Sequence, residues 1–327
     1  MRAVVIHEVG GPEVLRMEDR PSPEPGEYDL LVAVHATSVN PVDTKIRTRR
    51  GVPRNFPVTL GFDVSGVVVR CGSRVTGWQA GDEVFGCPNL LGNGANAEFA
   101  LLDSRAAARK PKSVDHCTAA ALPLVSLTAW ESLHARARIE AGQTVLIHAG
   151  AGGVGHIGVQ LARLHGCRVI TTAGRPESIA FCRDTLRAHE VIDYRQTDFV
   201  ARVNELTDRK GLPVVFDTVG GEVFKRSIDC VAPLGQLVTI LGADAGDRAQ
   251  MLLNRGITVH YEFMGVRVGY GIQPEKQAGI LRSVAHLVDS GLLKPHIAMQ
   301  LPLQQVAEGH RQVESGHTIG KVVIAVR

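Results

Sequence analysis

The stretch that decides the fold is TVLIHAGAGGVG, residues 144–155. Its first part, Thr144–His148, predicts a buried strand, and the remainder places glycines at positions 150, 152 and 155 in the spacing GxGxxG. Apolar residues at helical spacing follow at once: Val154, Ile157, Leu161 and Leu164. A glycine loop that joins a strand to a helix is the context in which this motif indicates a dinucleotide-binding site.

Each glycine of the loop has an expected task. Gly150 allows the tight turn, Gly152 lets a pyrophosphate approach the backbone, and Gly155 lets the helix pack closely on the sheet. The first N–H groups of the helix then face the phosphates at the positive end of the helix dipole. We therefore expect the whole loop to bind the cofactor: Gly150, Ala151, Gly152, Gly153, Val154 and Gly155.

Outward from the loop, strands and helical patterns alternate. The expected strands are Arg168–Thr172, Val191–Asp193, Val214–Asp217, Leu237–Leu241 and Thr258–Phe263. This alternation predicts an α/β domain with a doubly wound parallel sheet over residues 123–265. No internal repeat interrupts it.

The two regions that flank this domain show different sequence patterns. Residues 1–122 contain short apolar strands separated by Pro and Gly clusters, which is typical of a β-barrel-like domain. Residues 266–327 contain a helix ended by Gly291, a second helix near Gln304–Glu314 and a last strand, Val322–Val326. We expect this C-terminal segment to return to the N-terminal domain.

The residues at the tip of the second strand favour NADPH over NADH. An acid there holds the ribose 2′-OH of NADH, but this chain has Ala173 and Gly174 followed by Arg175. An arginine suits a 2′-phosphate, and Tyr194 after the third strand is expected to bind the same group through its hydroxyl. Both residues also have structural interpretations, as a solvated arginine and a packing tyrosine, and Glu177 lies nearby.

Bulk composition narrows the class of protein. Of the 327 residues 44% are hydrophobic and 21% charged, which is ordinary globular composition, and no apolar run is long enough for a membrane span. The N-terminus does not resemble a signal peptide, and the six cysteines are scattered, so we expect a cytoplasmic protein with reduced thiols. A net charge of +3 gives no reason to expect a nucleic-acid partner.

Seven stretches, in order from end to end, resemble the zinc-independent medium-chain dehydrogenase/reductases, and specifically the zeta-crystallin-like NADPH quinone oxidoreductases. They are Ser38–Asp43, Gly61–Val68, Gly81–Val84, Leu127–Trp130, the glycine loop, Phe216–Gly220 and Gly320–Val322. The resemblance implies a GroES-like catalytic domain, a Rossmann domain and a homodimer joined through the cofactor domains. It implies catalytic roles for Asn40 and Thr128, and cofactor contacts for Thr128, Thr218 and Lys321.

Asn40 and its neighbours leave alternatives open. Asn40 is expected to hydrogen-bond the substrate carbonyl as an oxyanion donor, or else to form the turn before Pro41. Asp43 is expected to cap the following helix. Many relatives carry an aromatic residue where this chain has Lys45, and the basic run Lys45–Arg50 is either a solvated loop or a positive rim that attracts anions.

Metal ligands are missing from the expected positions. Zinc-dependent relatives carry a cysteine near Ser38 and a Gly-His-Glu where Gly61-Phe62-Asp63 stands here. Catalytic zinc needs about three protein ligands, so we expect none bound.

The sequence therefore predicts NADPH-dependent hydride transfer to a small quinone or conjugated carbonyl. The cofactor supplies the chemistry and the protein supplies orientation. Two alternatives stay open: an enone or enal double-bond reductase, and an NADPH-binding regulatory or RNA-binding protein suggested by the arginine density of residues 163–195.

Overall fold

The computed structural model describes residues 1–49 and 55–327. The chain divides into two compact units. The first unit comprises Met1–Leu127 together with Gly265–Arg327, and the second comprises Thr128–Met264. Arg50, the last residue of the basic run, lies outside the described residues.

The elements are numbered in chain order. The strands are β1 (Arg2–Ile6), β2 (Arg16–Asp19), β3 (Asp29–Val39), β4 (Val58–Thr59), β5 (Val64–Cys71), β6 (Glu83–Gly86), β7 (Phe99–Asp103), β8 (Ala108–Arg109), β9 (Thr144–Ile147), β10 (Arg168–Ala173), β11 (Glu190–Asp193), β12 (Leu212–Asp217), β13 (Val231–Thr239), β14 (Thr258–Tyr261), β15 (Ile297–Pro302) and β16 (Lys321–Ala325). The helices are α1 (Pro41–Arg47), α2 (His116–Ala120), α3 (Pro123–Trp130), α4 (Gly153–Leu164), α5 (Pro176–Ala180), α6 (Phe199–Leu206), α7 (Gly221–Ile228), α8 (Ala249–Arg255), α9 (Val266–Gly269), α10 (Glu275–Asp289) and α11 (Val306–Glu314). Helices α3 and α5 continue into wider π-helical turns at Glu131–Arg136 and Phe181–Thr185.

The second unit is built on a parallel sheet in the order β11-β10-β9-β12-β13-β14. The strand order reverses at β9, and right-handed crossovers on either side of that point place helices on both faces. Val145, Leu146 and Ile147 are fully buried in β9, as a parallel strand covered on both faces requires. The structure confirms the predicted doubly wound sheet, and it brings the carboxyl ends of β9, β10 and β12 together at the switch point.

The first unit contains two sheets. The smaller has the order β2-β1-β4, and the larger has the order β15-β16-β3-β5-β6-β8 with β7 also paired to β3. Strand β3 pairs with β5, β7 and β16, and its register against β5 shifts between Val34 and Ala36. The C-terminal strand β16 runs antiparallel to β3, with Val322 opposite Val39. This pairing sets Lys321 beside the end of β3.

Within the part of the chain that the structure describes, no helix combines the length and apolar character needed to cross a bilayer.

Candidate active site

The glycine loop between β9 and α4 has three glycines with different reasons to lack a side chain. A Cβ on Gly150 would lie 2.0 Å from Thr171 Oγ1, and one on Gly155 would lie 2.2 Å from Ala149 O. Protein packing therefore requires both glycines. A Cβ on Gly152 would meet only Ala149 O, at 3.2 Å, and otherwise open space. The protein itself does not need a glycine at 152, which is the result expected where a ligand approaches the backbone.

The start of α4 offers N–H donors toward that open space. Helix α4 spans Gly153–Leu164, with Gly152 as its N-cap residue. The first N–H groups of any helix have no intrahelical acceptor, and here they belong to Gly153, Val154 and Gly155. Together with the helix dipole they form a site suited to a pyrophosphate. Ala151 completes the loop and is 6% exposed.

The loop is held in shape by a buried histidine that the sequence analysis did not identify. Thr172 Oγ1 accepts a hydrogen bond from Ala149 N at 3.0 Å and lies 3.2 Å from His148 Nδ1. His148 Nε2 lies 2.9 Å from Ser227 Oγ. Burial lowers the pKa of His148 to about 4, so the ring is neutral at physiological pH. A polar residue directly after the apolar run of β9 was the available signal.

The turn after β12 lies against the same loop. Thr218 Oγ1 donates to His148 O at 2.8 Å. The buried carboxylate of Asp217 accepts hydrogen bonds from Val219 N and Gly220 N, each at 2.9 Å. These contacts fix Thr218 beside the glycine loop, at the carboxyl edge of the sheet.

Arg175 and Tyr194 lie at the ends of the neighbouring strands β10 and β11. A Cβ on Gly174 would lie 2.4 Å from Tyr194 Cζ, so the tyrosine ring lies directly over Gly174. Arg175 Nη2 makes an ion pair with Glu177 Oε1 at 2.5 Å, and both side chains are partly exposed, at 30% and 54%. The structure thus brings the two expected phosphate ligands together and pairs one of them with the acid noted in the sequence.

In the first unit, Asn40 lies in a buried polar cluster. Asn40 is 1% exposed, and its Nδ2 donates to Asp63 Oδ2 at 2.7 Å. Ser38 Oγ donates to the same carboxylate oxygen at 2.5 Å, and Leu124 N donates to Asp63 Oδ1 at 2.7 Å. Asp63 is fully buried and was not singled out from the sequence, although an acid at the start of an apolar strand was a visible signal.

Lys321 belongs to this cluster. Its ammonium donates to Asn40 Oδ1, to Val39 O at 3.3 Å and to Asp63 Oδ2 at 3.3 Å. An ammonium has three hydrogens, and these three acceptors take all of them. In this structure the ammonium of Lys321 is therefore directed into the first unit, and its contact with the cofactor stays a prediction.

Asp43 caps helix α1, as expected. Its carboxylate accepts from Asn40 N and from Gly61 N, each at 2.8 Å. Burial raises the pKa of Asp43 to about 7, although these two hydrogen bonds and Lys321 act in the opposite direction. No feature of the sequence indicated a group that titrates near neutrality in this cluster.

The basic run divides into residues with different surroundings. Lys45 is half-buried, and burial lowers the pKa of its ammonium. Arg47 is fully buried and pairs with Gly10 O and Glu314. Arg47 is therefore part of the packing between α1 and α11, and it contributes nothing to a positive rim.

Thr128 lies on α3 and is 5% exposed. Phe62 is fully buried at the position where zinc-dependent relatives have histidine. Among the residues that the structure describes, no three His, Cys, Asp or Glu side chains are grouped as metal ligands.

Comparison with known proteins places both units in one family. Residues 26–112 match the model of the alcohol dehydrogenase GroES-like domain, and residues 186–324 match that of zinc-binding dehydrogenases.

Full-length relatives carry the name quinone oxidoreductase. The protein from Pongo abelii is 32% identical, with 99% of this chain and 97% of that one covered. The protein from Pseudomonas aeruginosa is 33% identical over 96% of each chain. The solved structure of Escherichia coli quinone oxidoreductase complexed with NADPH superposes over the full length of both chains, with a TM-score of 0.91 at 30% identity. This chain is an oxidoreductase that belongs to the medium-chain dehydrogenase/reductase family, among its quinone oxidoreductases.

Proposed function

We propose that this oxidoreductase uses NADPH to reduce small quinones or conjugated carbonyls, and that it does so without zinc. The observation that carries the cofactor assignment is the open space at Gly152, where protein packing alone does not require a glycine. The relatives named quinone oxidoreductase support the substrate class.

The choice of NADPH rests on the end of β10. Arg175 follows Gly174 directly, and the ring of Tyr194 covers that glycine. A guanidinium and a phenol hydroxyl are both donors, so this pair suits a 2′-phosphate dianion. The Escherichia coli structure with NADPH is consistent with this choice.

The residues of this chain orient the reactants. When bound, the nicotinamide supplies the hydride. Asn40 donates from its amide to the substrate oxygen that becomes negative as the hydride arrives, and Thr128 orients the nicotinamide end through its hydroxyl. Solvent supplies the proton that completes the reduced product.

Independence of zinc is supported by what occupies the ligand positions. Phe62 cannot coordinate a metal, and the hydroxyl of Ser38 already donates to Asp63. The carboxylate of Asp63 is also paired with the ammonium of Lys321. The ammonium of Lys321 therefore already neutralises Asp63, the one acid among these ligand positions.

A homodimer through the second unit is part of the proposal. Strand β14 lies at the edge of the parallel sheet, where its outer N–H and C=O groups are open to another chain. Apolar side chains nearby are exposed: Tyr261 at 58%, Leu253 at 75% and Leu234 at 79%. A second copy that pairs β14 with β14 closes this edge with two-fold symmetry. Light scattering should give twice the mass of 35.1 kDa, and a monomer at micromolar concentration would contradict the dimer.

The cytoplasm is the proposed location, supported by the six cysteines, all of which are unpaired thiols.

The decisive experiment is a panel of quinones, enones and enals assayed with NADPH and with NADH. We expect NADPH oxidation with at least one small quinone, at a higher kcat/KM than with NADH. A strong preference for enones would select the double-bond reductase instead. No NADPH oxidation with any acceptor, together with salt-dependent binding of an oligonucleotide, would favour the regulatory alternative.

A further inference from the structure

We propose that Asp63 and Lys321 are positioning residues that lock the Asn40 amide in the orientation needed to donate to the substrate oxygen. The inference rests on the proposed role of Asn40 in hydride transfer. It starts from one observation: the two ends of the amide meet opposite charges. Nδ2 lies 2.7 Å from the carboxylate of Asp63, and Oδ1 accepts from the ammonium of Lys321.

Opposite charges at the two ends allow only one orientation of the amide. A 180° turn of the side chain would set its NH2 group against the ammonium and its oxygen against the carboxylate. All three residues are at most 3% exposed, so water screens these interactions little and both contacts would turn from attractive to repulsive. The amide is therefore fixed before substrate binds, which is what an effective oxyanion donor requires.

The ammonium also changes the donor strength of the amide. The positive charge of the ammonium beside Oδ1 draws electron density away from Nδ2, so the remaining Nδ2–H becomes a better hydrogen-bond donor. Within residues 1–49 and 55–327, Asp63 accepts one Nδ2 hydrogen and no acceptor takes the other. That second hydrogen is the one available for the substrate oxygen.

The two residues that fix the Asn40 amide, Asp63 and Lys321, come from distant parts of the chain. Lys321 begins β16 and lies beside Asn40 because β16 pairs with β3. Asp63 also accepts from Leu124 N in the first turn of α3, the helix that carries Thr128. One carboxylate thus fixes both the amide of Asn40 and the first turn of α3.

A double-mutant cycle tests whether Lys321 acts through Asn40. The variants are Asn40→Ala, Lys321→Met and the two combined, each assayed for kcat, KM and the Kd of NADPH. We expect Lys321→Met to lower kcat about tenfold with the Kd of NADPH within about twofold, since the cofactor loop is untouched. In the Asn40→Ala background the same change should cost less than about twofold in kcat, because no amide is left to orient.

Lys110→Met is the matched control. Lys110 is a buried lysine of the same unit, 8% exposed, and its ammonium donates to Pro111 O and Val114 O. Its replacement should lower the melting temperature without changing kcat. A loss of kcat that simply follows lost stability would appear in both variants.

Removing Lys321 alone leaves Asp63 buried without a counter-ion, which can prevent folding. The charge-neutral pair Asp63→Asn with Lys321→Met avoids this problem, and Asp63→Asn keeps an acceptor of the same shape. We expect the pair to fold and to show the loss of kcat. Unchanged kcat in a folded Lys321→Met or paired variant overturns the inference, as does a combined loss equal to the product of the single losses. If the wild type oxidises no NADPH with any acceptor, the proposed function fails, and this inference fails with it.

Discussion

Replacing Arg175 with alanine should weaken NADPH binding and leave NADH binding nearly unchanged. A hydrogen bond to a charged group contributes about 1.5–3 kcal/mol. In the structure Arg175 is already paired with Glu177, and both side chains are partly exposed. Such a pair is worth about 0–1 kcal/mol, and a 2′-phosphate must displace it. The net loss should therefore be about 1–2 kcal/mol, or roughly 5- to 30-fold in Kd.

The measurement is a fluorescence titration of each cofactor with wild-type protein, Arg175→Ala and Glu177→Gln. Glu177→Gln should tighten NADPH binding several-fold, because it removes both the competing carboxylate and its repulsion of the phosphate. Arg183→Ala is the matched control, since Arg183 is a more exposed arginine paired with Asp184 in the same unit. Equal losses for NADPH and NADH in Arg175→Ala would refute the assignment of Arg175 to the 2′-phosphate.

Three further predictions concern the loop, the metal and the buried acid. Gly152→Val should abolish NADPH binding while the melting temperature falls little, because a side chain there meets only Ala149 O; normal affinity would place the phosphate site elsewhere. Activity should survive exhaustive chelation, and elemental analysis should find no zinc; activity lost with chelator and restored by zinc would overturn the zinc-free proposal. Burial raises the pKa of Asp43 from 3.8 to about 7. The neutral form of Asp43 is therefore favoured in the folded state. Its contribution to the stability of the folded protein is complete below pH 3.8 and is lost as the pH rises to about 7. In that window the free energy of unfolding of the wild-type protein should fall by up to roughly 1.4 kcal/mol per pH unit because of Asp43, and denaturant titrations should show that Asp43→Asn removes this fall. An unchanged dependence of the free energy of unfolding on pH would contradict the raised pKa of Asp43.

The cofactor loop could be predicted from the sequence because its constraints are local. The turn at Gly150, the packing at Gly155 and the start of α4 all involve residues within a few positions or on the next strand. The alternation of strands and helices gave the doubly wound sheet, since the handedness of crossovers leaves few topologies. The position of Arg175 could be predicted in the same way, as the first side chain after a strand that the pattern had already located, while its role in binding the cofactor stays a prediction.

The surroundings of Asn40 could not be predicted in that way. Lys321 is 281 positions away in the chain, and only the pairing of β16 with β3 brings its ammonium to the amide. The resemblance suggested a cofactor contact for Lys321, and the structure shows its ammonium bonded to three acceptors inside the first unit. Arg47 belonged to an exposed-looking basic run and is fully buried.

The sequence by itself determined the fold class, the glycine loop and the kind of cofactor, because side-chain periodicity and turn chemistry act over short stretches of chain. Tertiary structure alone decided which charges face one another in the interior. A buried charge such as that of Asp63 needs a partner of opposite charge close in space. Here that partner, Lys321, comes from a strand at the opposite end of the chain.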